Sequence, residues 1–183
     1  MGRGHRLILV RHCEASGQEP EAALTDRGLR QAEALRDFLV GQPIDLIVTS
    51  EYLRARQSVA PLARALGLTP QVDSRLNERL LAATPIENWR DVLRGSFDDP
   101  DLRGPGGESA RETLSRAQAA LNELLNGRYR MPVVVTHGNL MSLVLHSLDG
   151  SFGYAGWESL SNPDVYLLDN MKPGQSAFRR KWN

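Results

Sequence analysis

The chain reads as an α/β protein, on three observations. Short apolar stretches alternate with amphipathic segments of helical period over most of its 183 residues, as when strands feed helices that cover a sheet. Three apolar stretches run straight into Arg, Ser or His, residue types suited to the carboxyl edge of a sheet rather than its core. No internal repeat, linker or low-complexity segment interrupts the pattern, and the length suits one sizeable core but is short for two. Residues 1–183 are therefore expected to form a single domain.

Taken in order, Leu7-Ile8-Leu9-Val10 is a buried strand followed at once by Arg11-His12. Residues 14–26 are polar and loop-like. Gly28 to Val40 places Leu29, Ala32, Leu35 and Leu39 on one helical face and is stopped by Gly41. Ile44 to Val48 is the second strand, with Thr49 or Ser50 able to cap the next helix. That helix carries Val59, Leu62 and Leu66 and ends at Gly67, while Pro61 predicts a kink or a break in it. Residues 69–73 suit a short third strand.

Residues 74–110 lack regular βα character. Thr84-Pro85-Ile86-Glu87 is a capping box with Pro at the first helical position and predicts a short helix there. A second capping box, Ser109 to Glu112, opens a helix with Leu114, Ala117, Leu121 and Leu124 on one face, ended by Asn126-Gly127. Val133-Val134-Val135 is a strand running into Thr136-His137-Gly138, and Leu140 to Leu148 is a buried helix. Residues 150–163 read as a loop. Val165 to Leu168 and Ala177 to Trp182 flank a Lys172-Pro173-Gly174 turn and predict a terminal hairpin.

Composition excludes several classes of function. Lys plus Arg and Asp plus Glu each number 22, so no net field draws the chain to nucleic acid or an anionic membrane. The longest apolar run near the N-terminus is four residues, too short for a signal peptide or a membrane span. Arg6 stands where a myristoylation signal needs Ser or Thr. A lone cysteine forms no intramolecular disulfide and suits a reducing compartment, so a cytoplasmic protein is expected.

If the strands are parallel neighbours, Arg11, His12, Arg54 and His137 converge on one sheet edge. Helix N-termini there add N–H groups and positive partial charge, which favour phosphate. Taken singly, Arg54 would be a solvated helix residue and His137 a helix cap. His5 and His146 are expected to serve only surface or packing.

Ordered along the chain are Leu9-Val10-Arg11-His12 with Glu14, Leu24-Thr25 with Gly28 and Gln31-Ala32, and Thr49-Ser50 with Arg54-Ala55 and Gln57-Ser58. Gly107-Glu108-Ser109 and Thr136-His137-Gly138 follow. This set resembles the histidine phosphatase superfamily, the phosphoglycerate-mutase-like proteins, from residue 7 to about 146. The resemblance implies a three-layer αβα sandwich around a mixed, mainly parallel sheet. It implies an enzyme in which His12 attacks phosphorus to give a phosphohistidine, and in which Arg11, Gln18, Arg54, His137 and Gly138 contact phosphate. Glu78 matches the family's acid, with Glu14 a weaker candidate. No cofactor or metal is implied, and the four histidines show no metal-ligand spacing.

The chain departs from the family at Cys13, where Gly is usual, at Ala15, where Ser or Thr is usual, and at Gln18, often Asn. If Cys13 lay beside phosphate, its thiolate would be favoured and the enzyme sensitive to oxidants. The expected activity is that of a phosphomonoesterase acting on a small phosphorylated metabolite, with no nucleic-acid or membrane partner and room for a homo-oligomer. A cofactor-dependent phosphoglycerate mutase is the alternative, favoured by Leu76-Asn77-Glu78-Arg79 and His137-Gly138-Asn139. Against it stand the apolar Leu80-Leu81-Ala82 and the absence of lysine from residues 74–110. A non-catalytic phosphate-binding module is a third reading, and it predicts loss of His12, Arg54 or His137, all of which are present. Residues 74–110 are expected to cover the substrate, with Trp89, Phe97, Tyr154 and Trp157 either lining the mouth or buried as core.

Overall fold

The structure is a computed structural model, described here for residues 6–169 and 178–182. Six strands form one sheet in the order β3-β2-β4-β1-β5-β6. Strands β1 (Arg6–Arg11), β2 (Leu46–Thr49), β3 (Gln71–Val72) and β4 (Pro132–Thr136) are mutually parallel. β5 (Asp164–Asp169) runs antiparallel to β1 and to β6 (Phe178–Arg180), so the sheet is mixed and mainly parallel. The terminal hairpin is present as a strand pair; its Lys172-Pro173-Gly174 turn lies outside the described residues.

Continuous apolar runs make strands buried on both faces, and that is how β1 is used. Leu7 and Leu9 face one core with Val134, Leu121, Leu140, Met141 and Leu145. Ile8 and Val10 face the other with Val135, Leu35, Leu39, Val59 and Leu62. Helices α4 (Ala110–Asn126) and α5 (Gly138–Leu148) cover the first face, and α1 (Asp26–Leu39) and α2 (Leu53–Leu66) the second. The result is a three-layer αβα sandwich.

Several local expectations need correction. α1 buries Gly28, Ala32, Leu35 and Leu39, whereas Leu29 is 48% exposed. Its stripe is rotated because Gly28 lies against the preceding loop: a Cβ there would sit 2.0 Å from the Glu14 carbonyl oxygen. α4 likewise buries Ala117, Ala120, Leu121 and Leu125, with Leu114 and Leu124 at the margin. α2 continues through Pro61 without a break, held by a face on which Val59, Leu62 and Ala63 are buried. Its N-cap is Tyr52, and neither Thr49 nor Ser50 caps it.

No helix starts at Pro85. α3 is Trp89–Gly95, with Asn88 before it, because residues 80–83 are engaged with residues 104–108 instead. The Ala83 N–H donates to Pro105, Gly104 to Leu81, and Glu108 to Leu80. Residues 150–163 also contain a helix, α6 (Tyr154–Glu158), too short to show a period in the sequence. Trp89 of α3 meets Trp157 of α6 edge-on at 6.0 Å, and Trp157 meets Tyr154 at 5.3 Å. These rings are half-buried and join the two segments; none is fully core. Among the described residues no helix is long and apolar enough to cross a membrane.

Candidate active site

Register brings three strand ends level. Arg11 pairs with Thr136 and Thr49 with Val135, and the His12 N–H continues the ladder to the Thr136 carbonyl. Arg11, His12, Arg54 and His137 therefore gather at one edge, all buried except the half-buried Arg11.

His12 Nδ1 lies 2.6 Å from its neighbour's carbonyl, that of Cys13. A carbonyl only accepts, so Nδ1 carries the proton and Nε2 is left with its lone pair. Arg54 Nε donates to that Nε2 at 3.2 Å. Burial pushes the His12 imidazole down to about 3, with Arg54 and Arg11 adding to the effect against the raising influence of the Cys13 carbonyl. The ring is thus neutral at neutral pH, with an available nitrogen.

Arg54 is anchored through Nη1, which donates to the carbonyls of Gln18 and Glu19. Gln18 thus reaches the site through its backbone, and its side chain is exposed. Arg11 Nη1 donates to the Leu160 carbonyl at 3.0 Å, while its Nε is buried without a partner. A Cβ on Gly138 would lie 3.0 Å from that Nε and 3.1 Å from Cζ, so glycine there makes room for the guanidinium. Burial lowers both arginines' pKa, and the nearby Glu78 carboxylate offsets part of this.

His137 packs edge-on to His12 with ring centroids 5.1 Å apart. Its Nε2 lies 2.7 Å from Ser50 Oγ, which also accepts the Tyr52 N–H. Among the described residues the Ser50 hydroxyl proton meets no acceptor other than Nε2, and a hydroxyl that donates to Nε2 places the His137 proton on Nδ1. That Nδ1 is buried and has no partner, as are both amide atoms of Asn139. Burial also holds the His137 imidazole well below its usual range, with His12 and the arginines contributing. Buried polar atoms normally find partners. Here the orphans are donors at one edge, apart from the Asn139 oxygen, and an anion would satisfy them.

Glu78 follows a 3-10 turn (Ser74–Leu76) at the end of β3. One carboxylate oxygen accepts from the Leu140 and Arg79 N–H groups, and the other from the Asn139 N–H, so it covers the N-terminus of α5. Glu14 is turned elsewhere. Its carboxylate accepts from Thr25 Oγ1 and lies 3.4 Å from Arg27, fixing the loop before α1. Cys13 is fully buried in the core beneath α1 and α2, and burial pushes its thiol up to about 11. Its side chain belongs to the core cluster, and neither arginine of the strand-end edge acts on its thiol, which removes the basis for thiolate reactivity.

Four contributors escaped sequence reasoning. Ser50 looked like a helix cap and instead sets the His137 tautomer. Tyr52 stacks edge-on to His137 at 4.8 Å and lies under the Arg54 guanidinium. Ser58 accepts the Cys13 N–H and donates to the Arg54 carbonyl. Asn162, in the stretch read as a loop, donates to the His12 carbonyl at 2.8 Å. Only Ser50 and Ser58 left a signal, through the Thr49-Ser50 and Gln57-Ser58 motifs. Among the described residues no group of three His, Cys, Asp or Glu side chains could hold a metal ion.

A family profile described as the histidine phosphatase superfamily, branch 1, matches residues 7–177. The chain belongs to the histidine phosphatase superfamily. A Proteus mirabilis protein named "Probable phosphoglycerate mutase" is 31% identical over 82% of this chain and 77% of its own length. A Yersinia pestis protein of the same name is 32% identical over 79% and 75%. A mycobacterial glucosyl-3-phosphoglycerate phosphatase superposes with a TM-score of 0.75 at 24% identity, covering 97% of both chains. The alpha-ribazole phosphatase of Shigella flexneri gives 0.72 at 22%, covering 96% and 94%. These two establish the shared phosphoglycerate-mutase-like fold.

Proposed function

We propose that this histidine phosphatase superfamily member is a phosphomonoesterase that works through a phosphohistidine at His12. The observation that carries the reading is the His12 tautomer: Nδ1 is committed to the Cys13 carbonyl and Nε2 is unprotonated amid buried cationic and N–H donors. The Nε2 lone pair forms a bond to phosphorus as the ester P–O bond breaks, and the leaving oxygen takes a proton from Glu78. Water then attacks phosphorus, the P–N bond breaks with its electron pair returning to Nε2, and the water proton goes to Glu78. Arg11, Arg54, His137 Nδ1–H and the Gly138 end of α5 hold the phosphoryl oxygens throughout.

Phosphatase is preferred over mutase because the arginines near Glu78 are already engaged. Arg79 is buried and donates to Ser96, Leu102 and Glu108. Arg75 pairs with Asp73 and Glu123, and Arg116 with Glu108. A mutase must grip a second anionic group, and these side chains are not free to do so. The mutase reading is supported by the unpartnered Asn139 amide and by the names of the curated relatives. Phosphate release from a panel of monoesters, without a bisphosphate primer, decides between them. Primer-independent release from several esters supports the phosphatase. Primer-dependent interconversion of phosphoglycerates, faster than any release, would replace it with the mutase.

A further inference from the structure

Three successive stretches of the backbone that carries Glu78 converge on one side chain, that of Arg116. Arg116 of α4 has five N–H donors, and each meets an acceptor. Nε and Nη2 pair with the two Glu108 carboxylate oxygens, both at 2.9 Å. Nη1 donates to the carbonyls of Arg75 and Asn77, both at 2.8 Å, and Nη2 reaches that of Glu78 at 3.4 Å. Glu108 closes the arrangement, since the oxygen paired with Nη2 also accepts the Leu80 N–H and its own N–H donates to the Leu80 carbonyl. The segment on both sides of Glu78 is thereby tied to a half-buried ion pair.

We infer that Arg116 and Glu108 are positioning residues that set where the Glu78 carboxyl stands relative to the leaving oxygen; this rests on the reading of Glu78 as the acid. An arginine fork fixes direction as well as distance, because its planar donors cannot rotate independently. Among the described residues no other side chain bonds the Glu78 carbonyl, and the Arg79 fork next to it is directed away, to Ser96, Leu102 and the Glu108 carbonyl. Thr136 Oγ1 holds the Leu76 carbonyl, and Glu51 holds the Asn77 side chain, both upstream of the acid. Geometry at a proton donor matters steeply, since a displacement of about 1 Å can cost about 10²-fold in rate. The pair also gives Glu108 of the Gly107-Glu108-Ser109 motif a part in the site, since its carboxylate is committed to Arg116 and the Leu80 N–H.

Leaving-group dependence gives a readout that a purely structural role would not move. An alkyl phosphate needs its leaving oxygen protonated, whereas p-nitrophenyl phosphate hardly does. Arg116→Lys, which keeps the charge and loses the fork, should lower kcat for the alkyl ester about 10- to 100-fold. The aryl ester should change less than about 3-fold, and in a Glu78→Gln background the same change should add less than about 3-fold to the alkyl loss. Glu108→Gln should give the same selectivity more weakly, and it carries the test if Arg116→Lys does not fold. Arg111→Ala, on the same helix as Arg116, breaks only an exposed pair with Asp101 of the preceding loop and should leave both esters unchanged. Equal losses on both esters, or full multiplication with Glu78→Gln, would overturn the inference while the acid stands. Equal losses in Glu78→Gln itself would remove the acid reading, and this inference with it.

Discussion

At the scale of single residues, two histidines have their ring protons fixed by contacts within the protein itself. The Cys13 carbonyl commits one His12 nitrogen, and Ser50 commits one His137 nitrogen, so each ring presents a defined atom. With the His12 pKa pushed down to about 3, nitrogen-resolved NMR should show Nε2 unprotonated from pH 8 to pH 4 in the free protein. A ring that titrates near 6.5 would mean that the buried donor cage is open in solution. Arg54→Ala should cut the rate by about 10²–10³, the scale for losing one preorganised transition-state donor. Arg64→Ala, 71% exposed on the same helix and 3.8 Å from Glu33, should have little effect by comparison. Comparable losses at 54 and 64 would place the phosphate site elsewhere.

Among the elements, the N-terminus of α5 is where packing and chemistry meet. Gly138 admits the Arg11 guanidinium, and the next two N–H groups hold Glu78. Gly138→Ala should displace Arg11 and reduce kcat by about 10²-fold, with a far smaller effect on melting temperature. An alanine variant with normal kcat would show that Arg11 is not held as described. These contacts also mark what a sequence can disclose. The strands and the Ser109–Glu112 capping box are local patterns, visible in a few neighbouring residues and present as expected. The Thr84–Glu87 box satisfies the same pattern but makes no helix, because hydrogen bonding across to residues 104–108 wins over local propensity. Leu160 and Asn162 reach Arg11 and His12 across about 150 positions, so no local pattern could announce them.

For the whole molecule, burying two neutral histidines makes stability depend on pH. Their folded pKa values lie below the unfolded value of about 6.5, so in acid the unfolded chain binds more protons than the folded one. Stability is then full above about pH 6.5 and is lost as pH falls toward 3, by roughly a few kcal/mol for His12 alone. Urea midpoints should fall between pH 7 and pH 5, and the fall should shrink in a His12→Gln, His137→Gln variant. A pH dependence unchanged in that variant would assign the acid sensitivity to other groups. At this scale the α/β class was legible because alternating apolar runs and helices dictate it, whereas the layers and the mixed, mainly parallel sheet were legible only through the family resemblance. The convergence of three strand ends held on condition that β1, β2 and β4 are parallel neighbours, as they are. The rotation of α1 was not legible, since it follows from one glycine pressed against the Glu14 carbonyl of the preceding loop, a contact that helical periodicity does not encode.

The claim on which the rest depends is that His12 Nε2 becomes covalently bonded to phosphorus. Wild-type protein quenched during turnover of a labelled phosphomonoester should hold an acid-labile, base-stable phosphate that maps to the peptide containing His12. His12→Ala should hold none and lose essentially all turnover. Label on Cys13 or an aspartate, or near-normal turnover in His12→Ala, would contradict the account.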